Sequence, residues 1–270
     1  MTLKVITVVK ADLLGLKRTE RSIQGQSKRV SWTLVTPDDG SVTFKYAQLL
    51  RGKEIVSNII LDAHHGIYSA MNQAITSANS EDWLWFLNAG DEFANTKTYQ
   101  LVNQYVQNTT NDWMYGGYFL GSQSGNILGE VKAPKKFQAS NQLFAKKCIS
   151  HQSTIFLAKF LQDLGGFDTK LKIAADWDLM VRASSYDKGQ SIDKTIAVFY
   201  MGGVSTKQRQ IANIELLQIR KKYLGKRFII KNYAFFFYRF VRNYFVLKME
   251  TFQPDFVNFV RKIRFKYARF

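Results

Sequence analysis

Short apolar runs alternate with helix-like segments through the first ninety residues, and this alternation constrains the fold more than any other feature. The β-branched run at 4–9 is followed by helical spacing of apolar residues over 12–26, with Asp12 as a suitable N-cap. A second run, 31–36, ends in the turn-forming segment 37–41. Strand, helix, strand and polar turn open a βαβ unit, which requires parallel strands. The sequence therefore predicts an α/β fold built on a parallel sheet.

Further segments continue this pattern. Residues 55–61 are interpreted as a strand, 66–78 as a helix with one apolar face, and 83–87 as a fully apolar strand. Ligands of open α/β sheets bind where the strands end, so Asp38 and Asp91 are expected at one rim of the sheet. Downstream we expect strands and loops over 113–129, a helical or mixed segment over 152–164, a helix over 176–185 and a strand over 192–201.

Residues 151–182 combine a polar pair, His151 and Gln152, with two acids that flank a tryptophan, Asp176 and Asp178. Acids two positions apart on a helix do not face the same way, so only one of them should enter a cleft. Asp178 suits a cap or an ion pair with Arg182, four residues on. A lone histidine beside an apolar run is as often structural as functional, and both interpretations stand.

The order of these segments resembles that of a bacterial family 2 glycosyltransferase, of the type found in exopolysaccharide and lipopolysaccharide assembly. The resemblance covers roughly residues 3–206, and its matching segments are ITVVKADLLGLKRTERSIQGQ, DDGS, HGIYSAMNQAI, FLNAGDEF, HQSTIF, GGFD and ADWDL. It implies a GT-A fold for residues 1–206, with a Rossmann-like, mostly parallel central sheet flanked by helices. Residues 207–270 would form a basic-aromatic helical extension.

The resemblance also implies a donor side that holds a nucleotide sugar. Asp38 is expected to accept a hydrogen bond from the nucleotide base, and a turn acid that bonds its own backbone is the alternative. Asp91 is expected to bind a divalent metal, Mg²⁺ or Mn²⁺, with Asn88 as a neutral oxygen donor. Many relatives carry Asp-x-Asp here, but one carboxylate suffices where Mg²⁺ keeps waters and phosphates. A polar loop after a buried strand is the alternative for Asp91.

On the acceptor side, the resemblance makes Asp176 the general base that takes a proton from the attacking hydroxyl in an inverting transfer. A helix-start acid without chemistry is the alternative. His151 and Gln152 would contact the donor phosphates or brace the cleft. His64 and His65 fall where relatives carry an acid and a lysine. Because adjacent histidines of a strand point to opposite sides, a surface loop is favoured over a shared metal site for that pair.

Basic residues concentrate at the C-terminal end. Residues 208–270 hold fifteen Lys/Arg against three Asp/Glu, about +12 of the net +17, which leaves about +5 for the first 207. Residues 221–270 interleave Lys and Arg with Tyr and Phe and are too charged to span a bilayer, so they predict an interfacial helix on an anionic membrane surface. Packing against the catalytic domain or a second subunit is an alternative. Nucleic-acid binding ranks last because no recognised module accompanies the charge.

We see neither a secretory signal nor a membrane-spanning stretch, and the lone Cys148 fits a reducing compartment. The expected location is the cytoplasm, peripheral on the inner face of the cell membrane. The favoured function is transfer of a hexose or amino-hexose from a nucleotide sugar, expected to be UDP-linked, to a lipid-linked or oligosaccharide acceptor. A non-catalytic GT-A-like scaffold or membrane-associated protein is the alternative, supported by the missing first Asp of Asp-x-Asp.

Overall fold

The computed structural model describes residues 1–62, 66–144, 149–203, 208–253 and Val257. The strands are β1 Leu3–Val8, β2 Ser31–Thr36, β3 Asn58–Leu61, β4 Trp83–Phe86, β5 Glu92–Phe93, β6 Trp113–Gly121, β7 Ile127–Val131, β8 Thr154–Leu157 and β9 Gln190–Tyr200. The helices are α1 Leu13–Gln24, α2 Val42–Gly52, α3 Ile67–Ser77, α4 Thr98–Asn108, α5 Ala139–Leu143, α6 Ala158–Asp163, α7 Ala175–Ala183, α8 Arg209–Lys231 and α9 Tyr233–Phe252. The predictions for His64, His65 and Cys148 lie outside the described residues.

The strands form one sheet in the order β3-β2-β1-β4-β8-β6-β9-β5, with β7 paired to β6. The first four strands in this order are mutually parallel, as the βαβ pattern predicted. Strand β8 lies antiparallel between β4 and β6, whereas β6 and β9 pair in parallel. Helices flank this sheet, so the predicted α/β fold class is confirmed.

Both faces of the sheet are covered, which explains why its central strands are apolar without alternation. All four residues of β4 are buried. Neighbouring side chains of β1 serve opposite faces: Ile6 packs in the cluster with Met71 of α3, and Val5 packs in the cluster with Leu16 of α1. Two hydrophobic layers thus hold the sheet between them and fix the edge at which the strands end.

Three helices, α2, α4 and α5, have no counterpart among the segments expected from the sequence. Ser41, interpreted only as part of a turn, is the N-cap of α2, and its hydroxyl accepts a hydrogen bond from the backbone N–H of Phe44 at 3.1 Å. The strand expected at 55–61 begins only at Asn58, because the N–H of Ile55 still bonds back to the Leu50 carbonyl. The mixed segment 152–164 divides into a 3₁₀ turn, β8 and α6.

The first C-terminal helix, α8, packs on the α/β layers through polar contacts. It is interrupted at Gly225, whose φ of +73° lies in the left-handed region that favours glycine. The following helix, α9, exposes a series of aromatic rings, among them Tyr233, Phe237, Tyr238, Phe240 and Phe245. No helix within the described residues is long and apolar enough to cross a membrane. The division of the chain after residue 206 stays a prediction.

Asp178 is the buried anion that joins α7 to α8. Its carboxylate accepts hydrogen bonds from Arg182 Nε at 2.7 Å, Lys222 Nζ at 2.9 Å and the Tyr223 hydroxyl at 2.9 Å. The predicted pair with Arg182 is therefore confirmed. Burial alone would raise the pKa of Asp178, but the hydrogen bonds from Lys222, Arg182 and Tyr223 outweigh it and hold that pKa below its usual range.

Replacing Asp178 by Asn should lower the free energy of unfolding at pH 7 by about 3 kcal/mol, because Arg182, Lys222 and the Tyr223 hydroxyl lose the buried charged acceptor that they share. Since the folded-state pKa is depressed, the carboxylate stabilises the fold above its unfolded pKa of about 4, and this contribution disappears as the pH falls through the folded value. The variant should therefore lose less stability than wild type on acidification. Urea denaturation at neutral and acid pH measures both effects.

Asp163→Asn is the matched control for that experiment. Asp163 also pairs with a lysine four residues away, Lys159 at 3.1 Å, but both side chains are largely exposed. The control should change the unfolding free energy by less than about 0.5 kcal/mol. Equal effects of the two substitutions would show that Asp178 does not join the helices energetically.

Candidate functional site

The loop after β4 places the first part of the candidate site at the carboxyl end of the sheet. Gly90 has φ +97°, a backbone angle in the left-handed region that favours glycine. A Cβ atom at this position would lie 3.9 Å from the Cα of Gly15. The buried Thr19 hydroxyl of α1 accepts from the Gly90 N–H at 3.0 Å and donates to the Asp91 carbonyl at 2.8 Å. These contacts hold the backbone of the loop that carries Asn88 and Asp91.

Asp91 is a buried carboxyl group at this loop. Burial raises the pKa of Asp91 to about 7, while attraction by His151 and hydrogen bonds from the Gln152 side chain and the Tyr200 backbone oppose the shift. In the metal-free protein this group is thus poised between its neutral and charged forms near neutral pH. A cation beside it would favour the charged form.

His151 connects the two sides of the site. Its Nε2 lies 3.1 Å from Asn88 Nδ2, and its Nδ1 lies 2.9 Å from Asp176 Oδ2. The amide nitrogen of Asn88 can only donate, so whenever the ring is neutral its Nε2 accepts and its Nδ1 carries the proton toward Asp176. The imidazole therefore joins the loop after β4 to the first turn of α7.

Asp176 occupies the start of α7 with its carboxylate oriented from three directions. Besides His151, its Oδ1 accepts from the Trp177 backbone N–H at 3.0 Å and lies 3.4 Å from the Tyr68 hydroxyl. The side chain is 14% exposed, so solvent or a substrate can still reach it. It is a held but accessible carboxylate, which is the arrangement that a general base needs.

The structure thus brings together five of the six residues predicted for the site: Asn88, Asp91, His151, Gln152 and Asp176. Asp38 is exposed directly after β2, and since β2 and β4 are both parallel to β1, it follows a strand that ends at the same edge of the sheet. The turn contact that was the alternative for Asp38 is made instead by Asp39, which accepts from the Ser41 N–H at 3.0 Å. The roles of all six residues stay predictions.

Two further residues at this edge carried no predicted role. Tyr68 belongs to the GIYSAMN segment, and its hydroxyl donates to the Ile173 carbonyl at 2.6 Å beside Asp176. Asp62 follows β3 as Asp38 follows β2, and its buried Oδ1 has no hydrogen-bond partner among the described residues. The sequence feature that could have pointed to Asp62 is its position directly after a strand. The feature that could have pointed to Tyr68 is its place in one of the segments that resemble the glycosyltransferase family.

The donor set at Asn88 and Asp91 fits a divalent cation of limited protein coordination. Asn88 Oδ1 is buried and lacks a hydrogen-bond partner in the part of the chain that the structure describes. Within the same residues, no cluster of three or more His, Cys, Asp or Glu side chains could hold a metal. The protein can therefore supply an amide oxygen and a carboxylate, and phosphates and waters would complete the shell of a Mg²⁺-like ion.

Known glycosyltransferases resemble this chain in sequence and in fold. No family model matches the chain. An uncharacterized glycosyltransferase of Mycobacterium tuberculosis is 29% identical over 208 residues, which are 76% of this chain and 77% of that protein. Staphylococcus aureus TarS in complex with UDP-GlcNAc superposes with a TM-score of 0.63 at 13% identity, over 87% of this chain and 73% of that one. The match to a longer TarS chain spans 43% of that chain.

A further solved structure is also similar to this chain. The mannosyltransferase PcManGT from Pyrobaculum calidifontis, in complex with GDP-Man and Mn²⁺, superposes with a TM-score of 0.58 at 13% identity. The alignment covers 83% of this chain and 64% of that chain. The solved structures show the fold, and the sequence relatives are glycosyltransferases. Together they identify this chain as a glycosyltransferase of the GT-A type, as the sequence predicted.

The neutral His151 ring should carry its proton on Nδ1, because Asn88 donates to Nε2 and Asp176 accepts at Nδ1. Nitrogen-15 NMR of histidine-labelled protein distinguishes the two tautomers. Asp176→Asn weakens the acceptor at Nδ1 and should increase the Nε2–H form. A wild-type ring protonated on Nε2 would contradict the orientation of this hydrogen-bonded chain.

Proposed function

We propose that the protein is an inverting family 2 glycosyltransferase that moves a hexose or amino-hexose from a UDP-sugar to a lipid-linked or oligosaccharide acceptor in cell-surface polysaccharide synthesis. The observation that carries the proposal is the hydrogen-bonded chain from Asn88 through His151 to Asp176, which links the surroundings of two carboxyl groups, the buried Asp91 in the loop of Asn88 and Asp176 itself. They come from separate loops, one at the end of β4 and one at the start of α7. A sugar transferase needs both a donor side and an acceptor side, and this arrangement supplies them.

The donor side supports binding of a nucleoside diphosphate. TarS and PcManGT were crystallised with UDP-GlcNAc and GDP-Man, and we favour UDP because TarS superposes over a larger share of this chain. Asp91 and Asn88 Oδ1 would hold Mg²⁺ or Mn²⁺. When bound, such an ion neutralises charge on the leaving diphosphate. Gln152 and His151 would brace this side, and Asp38 would face the base at the rim.

On the acceptor side, Asp176 would take the proton of the attacking hydroxyl. The acceptor oxygen forms its bond to the anomeric carbon as the bond to the diphosphate breaks on the opposite face, and the proton passes to the carboxylate. His151, Tyr68 and the Trp177 N–H hold that carboxylate in one orientation. Holding a base in place before the reaction lowers the entropic part of the barrier.

Asp176→Asn should lower sugar transfer by a factor of about 10² to 10⁴, because an amide cannot accept the proton. Binding of UDP in the presence of Mn²⁺ should stay within about twofold of wild type. Product formation from a screened UDP-sugar and calorimetric UDP titration measure the two quantities. Equal loss of transfer and binding would indicate a structural role for Asp176.

Asp91→Asn is the matched variant on the donor side. It should reduce UDP affinity with Mn²⁺ to the value that wild type shows without metal, since the anionic ligand is removed. Its metal-free affinity should not change. If wild-type UDP binding is absent or independent of metal, the non-catalytic scaffold becomes the better interpretation.

The C-terminal helices support a membrane-associated site of action. Exposed basic side chains of α8, Lys226, Arg227 and Lys231, neighbour exposed apolar groups such as Ile230 and Tyr233. Aromatic rings beside cations suit the interface of an anionic leaflet. We propose that residues 221–270 hold the enzyme peripherally on the inner face of the cell membrane, near a lipid-linked acceptor; residues 254–256 and 258–270 of this segment lie outside the described part.

The protein should co-sediment with vesicles that contain anionic lipid and much less with purely zwitterionic vesicles, and added salt should weaken the binding. The double substitution Phe237→Ser and Phe240→Ser should reduce vesicle binding at least about tenfold, because it removes two apolar rings that would be buried in the membrane interface. Tyr186→Ser with Leu14→Ser, which removes exposed apolar groups from the catalytic part, is the control. Unchanged binding of the helix variant would contradict the proposal.

A further inference from the structure

Glu215 of α8 makes three hydrogen bonds to a segment of backbone that lies 41 to 43 residues away in sequence. Its carboxylate accepts from the N–H groups of Lys172 at 2.6 Å, Ile173 at 2.9 Å and Ala174 at 2.9 Å. The side chain is only 6% exposed. A buried carboxylate that satisfies three consecutive backbone donors is a strong, directional attachment, because charged acceptors form the stronger hydrogen bonds.

The attached segment leads directly into α7 and Asp176. Ala174, at the N-cap position of that helix, provides no side-chain cap. Glu215 instead holds the N–H groups of the three residues that lead into the helix, up to and including Ala174. The opposite side of the same segment is held by Tyr68, whose hydroxyl donates to the Ile173 carbonyl at 2.6 Å. The backbone before Asp176 is therefore fixed from both sides.

A second contact between α8 and α7 lies two helical turns further along α8. Lys222 and Tyr223, seven and eight residues after Glu215, both donate to Asp178. Residues at this spacing share one face of a helix. The same face of α8 thus contacts this region two residues before Asp176, at Ala174, and two residues after it, at Asp178.

We propose that Glu215 is a positioning residue for Asp176, which sets the distance and direction of that carboxylate relative to His151. This inference rests on the proposed role of Asp176 as the general base. Glu215 itself touches no candidate substrate group. Its effect on the reaction would pass through the start of α7, and it would make the C-terminal helix a part of the catalytic apparatus rather than an appendage.

The test compares Glu215→Gln with wild type at a temperature where both are folded. The substitution keeps size but removes charge and one acceptor oxygen, so the three N–H groups can no longer all be satisfied. The kcat of sugar transfer should fall about 10- to 100-fold, since small displacements of catalytic groups have effects of this order. The KM for the UDP-sugar and the affinity for UDP with Mn²⁺ should stay within about twofold of wild type.

Tyr99→Phe is the control for loss of stability alone. The buried Tyr99 hydroxyl donates to the Leu3 carbonyl at 2.7 Å, within the hydrophobic layer that contains α4. This variant should lower the melting temperature and leave kcat unchanged. A kcat loss of similar size in both variants, or a normal kcat in Glu215→Gln, would overturn the inference.

A double-mutant cycle separates this inference from the proposed function. If Glu215 acts through Asp176, Glu215→Gln should reduce transfer no further in the Asp176→Asn background. Activity retained by Asp176→Asn alone contradicts the proposed function, whereas additive losses contradict only the positioning role. If Glu215→Gln does not fold, Tyr223→Phe tests the second contact and should lower kcat about threefold without changing the donor KM; an unchanged kcat would overturn the inference.

Discussion

The hydrogen-bonded imidazole of His151 is the contact on which the rest of the site depends. It is the point where the loop after β4 and the first turn of α7 meet, at 3.1 Å from Asn88 and 2.9 Å from Asp176. Through this ring, the loop that carries Asp91 and the helix that carries Asp176 are joined by two hydrogen bonds. A neutral ring with a fixed donor and a fixed acceptor can serve two such partners at once.

Sheet topology explains how that contact arises. Strand β8 enters antiparallel beside β4, so the 3₁₀ turn His151–Ser153 that precedes it lies next to the loop where β4 ends. The indole N–H of Trp85 in β4 donates to the Gln152 carbonyl at 2.7 Å and holds the turn against β4. A buried hydrogen bond of this kind is costly to leave unmade, which favours one register of the two strands.

Local and repeating patterns were the predictable part of this molecule. The βαβ alternation foretold the parallel strands, and the four-residue spacing foretold the Asp178–Arg182 pair, since both depend on neighbours in sequence. The contacts of Tyr68 with Ile173 and of Glu215 with Lys172 join residues 105 and 43 positions apart. No periodicity encodes such pairs. The helix α2 was missed for a different reason, because its N-cap, Ser41, is equally typical of a turn.

The break in α8 at Gly225 divides the C-terminal region into an inner segment before the glycine and an outer segment after it. Glu215, Lys222 and Tyr223 all precede it, so the contacts to α7 belong to the inner part. The exposed rings follow it on the outer part. The start of α9 nevertheless stays attached to the body of the protein, because Phe235 and Phe236 pack against Phe144, which follows α5. The turn at Gly225 thus lets one continuous segment do two things, since α8 contacts α7 before the break and α9 leaves a row of aromatic rings exposed after it.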